Sequence, residues 1–317
     1  MARENTEMIY RAAQIIPYFG QWPEWIELYF YSCGRNPMMD FIFYTDCPLP
    51  KHQYPNTIFH QCSYDEYCNL VSERLSINFH CNNPYKLTDL KPFIGAVHEP
   101  ELREYDFWGF GDLDLVYGDL NILVNDTNLE RYDVITAHNY HIAGHFCICR
   151  NNDYYRNLCF KIKDWKHRLV EEHHYAFDEN EWAMFIHPFM GKVHRLHQLT
   201  TSKLGFHYFT ILDYINPLLY PKVLLKEFRT SLSPDPDAND DPIPPQIRNK
   251  VWNYHVKDGR IYDFRGIELP YLHFLFFKKN IWSKTEYYWR DGFYQLDYDF
   301  EKYRKITFDC VAIKGIN

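Results

Sequence analysis

Tyr105-Asp-Phe-Trp-Gly-Phe-Gly-Asp112-Leu-Asp114-Leu-Val-Tyr-Gly-Asp119 is the stretch that decides how this chain is read. Tyr105 to Phe110 is an aromatic, strongly β-prone run, and it stops at Gly111-Asp-Leu-Asp114. In an extended segment, residues i and i+2 share a side. Asp112 and Asp114 therefore present two carboxylates together at the carboxyl end of a strand, the edge at which open α/β sheets bind ligands. Two hard oxygen ligands suit Mg²⁺ or Mn²⁺, ions that complete their shells with substrate phosphate and water. Gly109 and Gly111 are expected to let a diphosphate approach the backbone. Asp106 and Asp119 are assigned structural roles, Asp119 as the cap of a short helix.

Upstream, the pattern alternates between strand and helix. Residues 11–20 read as a short buried strand ending in a turn. A helix is expected from Pro23 to Gly34, with apolar residues at helical spacing from Trp22 to Cys33. Met39 to Thr45 and Thr57 to Gln61 read as strands, and Ser63-Tyr-Asp-Glu66 as a capping box that opens a helix to about Leu75. Such alternation signals α/β layering around a mostly parallel sheet. A turn and a helix are expected over 84–99. Strands are expected at Leu115 to Tyr117, Tyr132 to Ala137 and His141 to Cys149, and an amphipathic helix from Asn152 or Asp153 to Leu169.

The segment 231–246 contains five Pro and four Asp and reads as a mobile loop. Beyond it, Val251 to Phe264 reads as a hairpin turning at Asp258-Gly259. The expected organisation is one domain over 1–230, in two halves at about 11–120 and about 121–230. The loop 231–246 follows, and then a C-terminal hairpin and tail over 247–317 that complete the active site.

Composition sets the outer limits. The chain has 317 residues, with 8 Trp, 27 Tyr and 24 Phe but only 13 Gly, which excludes disordered and collagen-like classes. The net charge of −8 provides no global basic field, so nucleic acid is not an expected partner. The nine cysteines form no Cys-x-x-Cys pair and read as reduced. Cys147 and Cys149 are assigned to opposite faces of a strand, which argues against a shared metal. No apolar run approaches the roughly 18 residues of a membrane span. Met1-Ala-Arg-Glu-Asn-Thr-Glu shows no signal-peptide pattern, so the expected location is cytoplasmic, compatible with peripheral contact at the inner face of the membrane.

Strand followed by Gly-Asp-x-Asp in an α/β chain of this length resembles the nucleotide-sugar glycosyltransferases of the GT-A fold. The wider block, Pro84-Tyr-Lys-Leu-Thr-Asp-Leu-Lys-Pro-Phe and then Trp108 to Leu120, resembles a bacterial family of GT-A-like proteins associated with capsule and lipopolysaccharide gene clusters. The resemblance follows the order of elements over about 11–190 and is close over 84–120. It implies a GT-A-like, Rossmann-like mixed, mostly parallel sheet flanked by helices, with a C-terminal extension; the catalytic domain would span 1–230, its donor half at about 11–120 and its acceptor half at about 121–230. It also implies a metal-dependent transfer of sugar from a nucleotide diphosphate donor, UDP-linked, to a surface polysaccharide or lipid-linked glycan.

By the same resemblance, Asp112 and Asp114 hold the metal and the donor diphosphate, and Lys86 and Asp89 meet the donor sugar. His273 and Lys279 keep the spacing of a late His-x-x-Gly-x-x-Lys motif, in which His is a third metal ligand and Lys contacts diphosphate; Phe276 replaces the Gly here. Asp178 or Glu179 stands where inverting members carry the base for the acceptor hydroxyl. The local reading of the same stretch makes Asp178 an N-cap with Glu181 three residues on. His141 and His145 are expected on one strand face, about 13 Å apart at strand rise, too far for one ion. Two other functions fit the same carboxylates and aromatics: a metal-dependent nucleotidyl or phosphoryl transferase, and a non-catalytic sugar-binding protein.

Overall fold

The computed structural model describes residues 8–189, 207–234, 250–278 and 289–317, with the backbone alone over 207–211. A seven-stranded sheet runs in the order β3-β2-β1-β4-β7-β6-β8. Its strands are β1 (Ala12–Pro17), β2 (Met39–Thr45), β3 (Thr57–Gln61), β4 (Phe107–Gly111), β6 (Val134–Thr136), β7 (Phe146–Arg150) and β8 (Val223–Leu225). In this sheet β7 alone runs against its neighbours. The protein is thus mixed α/β with a large, mostly parallel sheet flanked by helices.

Both faces are covered, as parallel strands require. Ala13, Ile15, Ile42, Trp108, Phe110, Cys147 and Cys149 pack on one side against α2 (Tyr64–Leu75), α3 (Ile94–Val97) and α7 (Glu181–Ile186). Ala12, Ile16, Phe41, Phe43, Phe107, Phe146 and Ile148 pack on the other against α1 (Ile26–Gly34) and α4 (Asp126–Arg131). The alternation along each strand is the two-residue period of the pleat. Cys147 and Cys149 follow the same rule: they share a face, with Sγ atoms 3.9 Å apart. Their assignment to opposite faces is therefore corrected, since i and i+2 fall on one side.

Several elements match the sequence reading. β2 and β3 have the expected bounds, and Ser63 caps α2 in a full capping box with Glu66. Asp119 caps a 3₁₀ turn at Leu120–Ile122. Others differ. Residues 84–93 form a 3₁₀ run with Pro92 inside it, and only Ile94–Val97 are α-helical. The helix expected over 153–169 is broken into α5 (Asp153–Arg156), a 3₁₀ turn and α6 (Trp165–Val170), although Asn152 caps it as expected. Strand β7 begins only at Phe146, so residues 138–145 are loop. Gly109 is required by the sheet itself, because a Cβ there would stand 2.5 Å from the Cys147 carbonyl oxygen. The expectation that it clears space for a diphosphate is replaced by this packing reason.

The C-terminal part is larger than a hairpin and tail. β9 (Trp252–His255) and β10 (Arg260–Tyr262) are the expected hairpin, with Gly259 at φ +61° in the turn. Around them stands a six-stranded sheet in the order β11-β10-β9-β14-β15-β13, completed by β11 (Glu268–Leu269), β13 (Tyr294–Gln295), β14 (Lys305–Phe308) and β15 (Ile313–Ile316). It packs on Leu28 and Tyr31 of α1. One strand reaches back: β12 (Tyr271–His273) pairs antiparallel with β5 (Leu115–Tyr117), placing Tyr271 opposite Tyr117 and His273 opposite Leu115. No helix among the described residues is long and apolar enough to cross a membrane. α8 (His207–Leu219) is the last α-helix among the described residues.

Candidate metal and donor site

Strand order reverses beside β1, with β2 on one side and β4 on the other. The crevice outside the carboxyl ends at such a switch point is where open α/β sheets bind ligands. β4 ends there at Gly111, and Asp112 and Asp114 follow. The Asp112 N–H donates to the His145 carbonyl at 3.1 Å, which ties the motif to the entry of β7. Trp25 Nε1 donates to the Leu113 carbonyl at 2.9 Å, so the residue between the carboxylates is anchored from the N-cap of α1.

The β5–β12 ladder brings in the third group. Carboxylate oxygens of Asp112 and Asp114 and a ring nitrogen of His273 lie within 4.8 Å of one another. His273 Nε2 is 3.5 Å from Asp114 Oδ2, and its Nδ1 is 2.8 Å from Ser231 Oγ. Metal-bound imidazoles are usually oriented in this way through their second nitrogen. The His145 ring stacks on His273 with centroids 4.1 Å apart.

Two lysines complete the cluster. Lys278 Nζ is 2.8 Å from Asp114 Oδ2. Lys91 Nζ is 2.7 Å from Asp112 Oδ1 and 3.5 Å from Asp178 Oδ2, bridging the motif to the segment before α7. Gly144 N–H donates to Glu179 Oε1 at 3.3 Å, so Glu179 lines the same wall. A Cβ at Gly144 would stand 2.4 Å from Asp178 Oδ2; glycine is what lets the chain pass these carboxylates.

The charges act on one another strongly. Burial raises the Asp114 pKa, but His273 and Lys278 outweigh it and hold the carboxyl well below the usual range. Burial alone would lower Lys91; Asp112, Asp178 and Glu179 more than offset this and hold its ammonium firmly charged. Asp178 goes the other way. Burial, with Glu179 and Asp112 adding to it against the pull of Lys91, pushes it up to about 6. His145 is held well below its ordinary value, first by burial and then by the neighbouring His273, His138 and His141, so it is neutral.

Four carboxylates therefore face two ammonium groups, and two of the carboxylates, with the His273 imidazole, present ligand atoms at a common point. Two oxygens and one imidazole nitrogen are a donor set that fits a divalent cation, with imidazole favouring Mn²⁺ over Mg²⁺. The residues present fit such an ion.

The structure brings Asp112, Asp114, His273, Asp178 and Glu179 to one edge of the sheet. Lys279 lies outside the described residues; Lys278, its neighbour, is the lysine seen on Asp114. Lys86 and Asp89 pair with each other, buried, at 2.8 Å. Lys86 Nζ also donates to the carbonyls of Arg168 at 2.8 Å and His173 at 2.5 Å, so its three N–H groups are all used within the protein. Asp89 accepts from the Tyr175 and Ala176 N–H groups, which fixes the chain just ahead of Asp178. Asp178 does not cap α7, whose N-cap is Asn180. Its carboxylate is thereby available to the cluster.

His138, His141 and His145 sit in a loop, and strand rise does not separate them. The His138 ring centroid is 4.5 Å from His141 and 5.3 Å from His145. His138 Nδ1 is 3.1 Å from Glu227 Oε2. Among the described residues, only Asp112, Asp114 and His273 converge as a metal set.

Residues 14–213 match the family model described as "Family of unknown function (DUF6625)", and the chain belongs to that family. No curated protein matches the chain.

Proposed function

We propose that this member of DUF6625 is a metal-dependent glycosyltransferase of the GT-A type, moving a sugar from a nucleoside diphosphate donor to a glycan or lipid-linked glycan. The observation that carries this reading is the convergence of Asp112, Asp114 and His273 at the switch-point edge of the sheet, with Lys278 at 2.8 Å from Asp114. A nucleotidyl transferase could use the same carboxylates, and the product distinguishes the two.

Asp112, Asp114 and His273 would hold Mn²⁺ or Mg²⁺, which when bound supplies charge stabilisation to a departing diphosphate. Lys278 offers N–H donors to phosphate oxygens, acting as a point charge. Asp178, at a pKa of about 6, is tuned for a general base near neutral pH. It is the group placed to accept the proton of an acceptor hydroxyl, while Lys91 fixes its position relative to Asp112. Glu179 holds the Gly144 loop that forms the acceptor wall. The acceptor class and a site of action at the inner face of the membrane follow from the capsule and lipopolysaccharide resemblance.

The test is product analysis with a panel of UDP-sugars, with and without Mn²⁺. Sugar transfer releases UDP in a metal-dependent way, and Asp112→Asn abolishes the release while the far-UV spectrum stays unchanged. Release of pyrophosphate would replace this reading with nucleotidyl transfer. Full activity in Asp112→Asn would remove the metal assignment.

A further inference from the structure

An open groove of about 650 Å³ lies on the C-terminal sheet, walled by Tyr294, Tyr298 and Tyr303 and by Glu24, Gln295 and Asp297. Its size is within the range of small-molecule sites. We infer that this groove is a subsite for an oligosaccharide, separate from the carboxylate cluster.

The lining selects the ligand class. Three tyrosines line it, with Lys51 over one face of Tyr298 and Lys302 over Tyr303; the parts of the rings left open, with their hydroxyls, suit the C–H faces and hydroxyls of sugar rings. Carboxylate and amide side chains beside them accept and donate to pairs of hydroxyls. Two acidic groups, Glu24 and Asp297, are balanced by two basic ones, Lys302 paired to Asp297 and Lys51 over the Tyr298 ring, so the groove has no net charge to select an anion. A neutral polyhydroxyl compound is what remains.

The groove is built rather than incidental. The Asp297 N–H donates to the Tyr303 hydroxyl at 3.2 Å, and the Tyr298 N–H donates to Asp297 Oδ1 at 2.8 Å. Gln295 Nε2 donates to the Gly292 carbonyl at 2.8 Å. The Lys51 ammonium lies 3.4 Å from the Tyr298 ring centroid and holds that ring, although 48% of the residue is exposed. An aromatic held in place yet half open to solvent is ready for a ligand without ordering cost.

Its position connects it to the cluster. Glu24 accepts from Trp289 Nε1, and the Trp289 ring meets the Trp25 ring with centroids 4.7 Å apart. Trp25 in turn anchors the Leu113 carbonyl between Asp112 and Asp114. Trp289 and Trp25 thus link the wall of the groove to the motif by a short chain of contacts. An acceptor chain extending from the cluster would have its distal sugars held here; the assignment of the oligosaccharide as acceptor rests on the proposed sugar transfer.

The experiment is a printed glycan array probed with labelled full-length protein, alongside Tyr298→Ala, Gln295→Ala and Asp112→Asn, each checked for an unchanged melting temperature. The expected result is retention of the wild type on one set of related oligosaccharides. That signal should fall about tenfold in Tyr298→Ala and Gln295→Ala and persist in Asp112→Asn. No wild-type signal on any glycan, or a signal that Tyr298→Ala and Gln295→Ala leave intact, overturns the inference. A signal lost in Asp112→Asn also overturns it, because the sugar would then be held by the cluster. Groove binding without metal-dependent UDP release would leave the subsite standing and remove the transferase reading alone.

Discussion

His273 stands opposite Leu115 across the β5–β12 ladder, and this pairing sets its Nε2 at 3.5 Å from Asp114 Oδ2. A strand from the C-terminal part thereby supplies the imidazole to a motif carried on β4 and β5. The backbone makes the link twice more: Phe274 N–H donates to the Asp114 carbonyl at 3.1 Å, and Gly118 N–H to the Pro270 carbonyl at 2.9 Å.

The Ser231 hydroxyl is the partner of His273 Nδ1. Removing it in Ser231→Ala frees the imidazole to rotate without touching a ligand atom. Mn²⁺ affinity by titration calorimetry is expected to fall by about 10- to 100-fold, as for other outer partners of metal-bound histidines. Unchanged affinity would show that Ser231 does not orient the ring.

Gly144→Ala places a methyl group against Asp178 Oδ2 and Glu179 Oε1. The carboxylates must move, at a cost of roughly 1–3 kcal/mol in stability. Misplacing the base by about 1 Å should lower kcat by up to about 100-fold, with Mn²⁺ affinity preserved. A variant with wild-type kcat would show that neither carboxylate needs its present position.

Asp178 also fixes a pH dependence. Its folded pKa of about 6 lies above the ordinary carboxylate value, so the folded state binds this proton more tightly than the unfolded chain. The sign follows: in EDTA, this group's contribution to stability is lost as pH rises from about 4 to about 6, and is constant above that. Asp178→Asn should flatten that part of a urea-denaturation series across pH and be the more stable protein at pH 7. Transfer activity should rise with pH through about 6 in the wild type. A stability slope unchanged in Asp178→Asn would remove Asp178 as its source.

Lys86→Met separates a structural role from donor binding. Taking one partner from a buried pair costs about 3–5 kcal/mol, and Asp89 would keep only its backbone and His174 contacts. The expected variant is markedly less stable to urea but has an unaltered KM for donor in its folded fraction. A large rise in KM with unchanged stability would return Lys86 to the donor.

Much of this site was legible in the residues. Asp112 and Asp114 declare themselves by type, spacing and the strand ahead of them, and His273 by its place in an apolar run before a basic pair. Lys91 carried no such signal. In the 3₁₀ run Pro84–Phe93, side chains three apart align. Lys86 and Asp89 therefore meet each other, while Lys91, two residues on, faces elsewhere and reaches Asp112. Only the fold shows this, because the run reads equally well as an α-helix. Histidines 141 and 145 were misplaced for a related reason: strand rise was applied to a loop, whereas both rings lie against His138. Asp178 looked like a helix cap because its spacing to Glu181 fits one; the helix starts later, at Glu181. The β5–β12 pairing joins residues far apart in the chain and has no local pattern to read.

The central claim is that Asp112, Asp114 and His273 together hold a divalent ion against a nucleoside diphosphate. Electron paramagnetic resonance of Mn²⁺ with the full-length protein, titrated with UDP, tests it most directly. The free Mn²⁺ signal should fall on adding protein, fall further with UDP, and be fully restored in Asp114→Asn and His273→Ala, each folded as judged by circular dichroism. Mn²⁺ bound with equal affinity by wild type and both variants would contradict it.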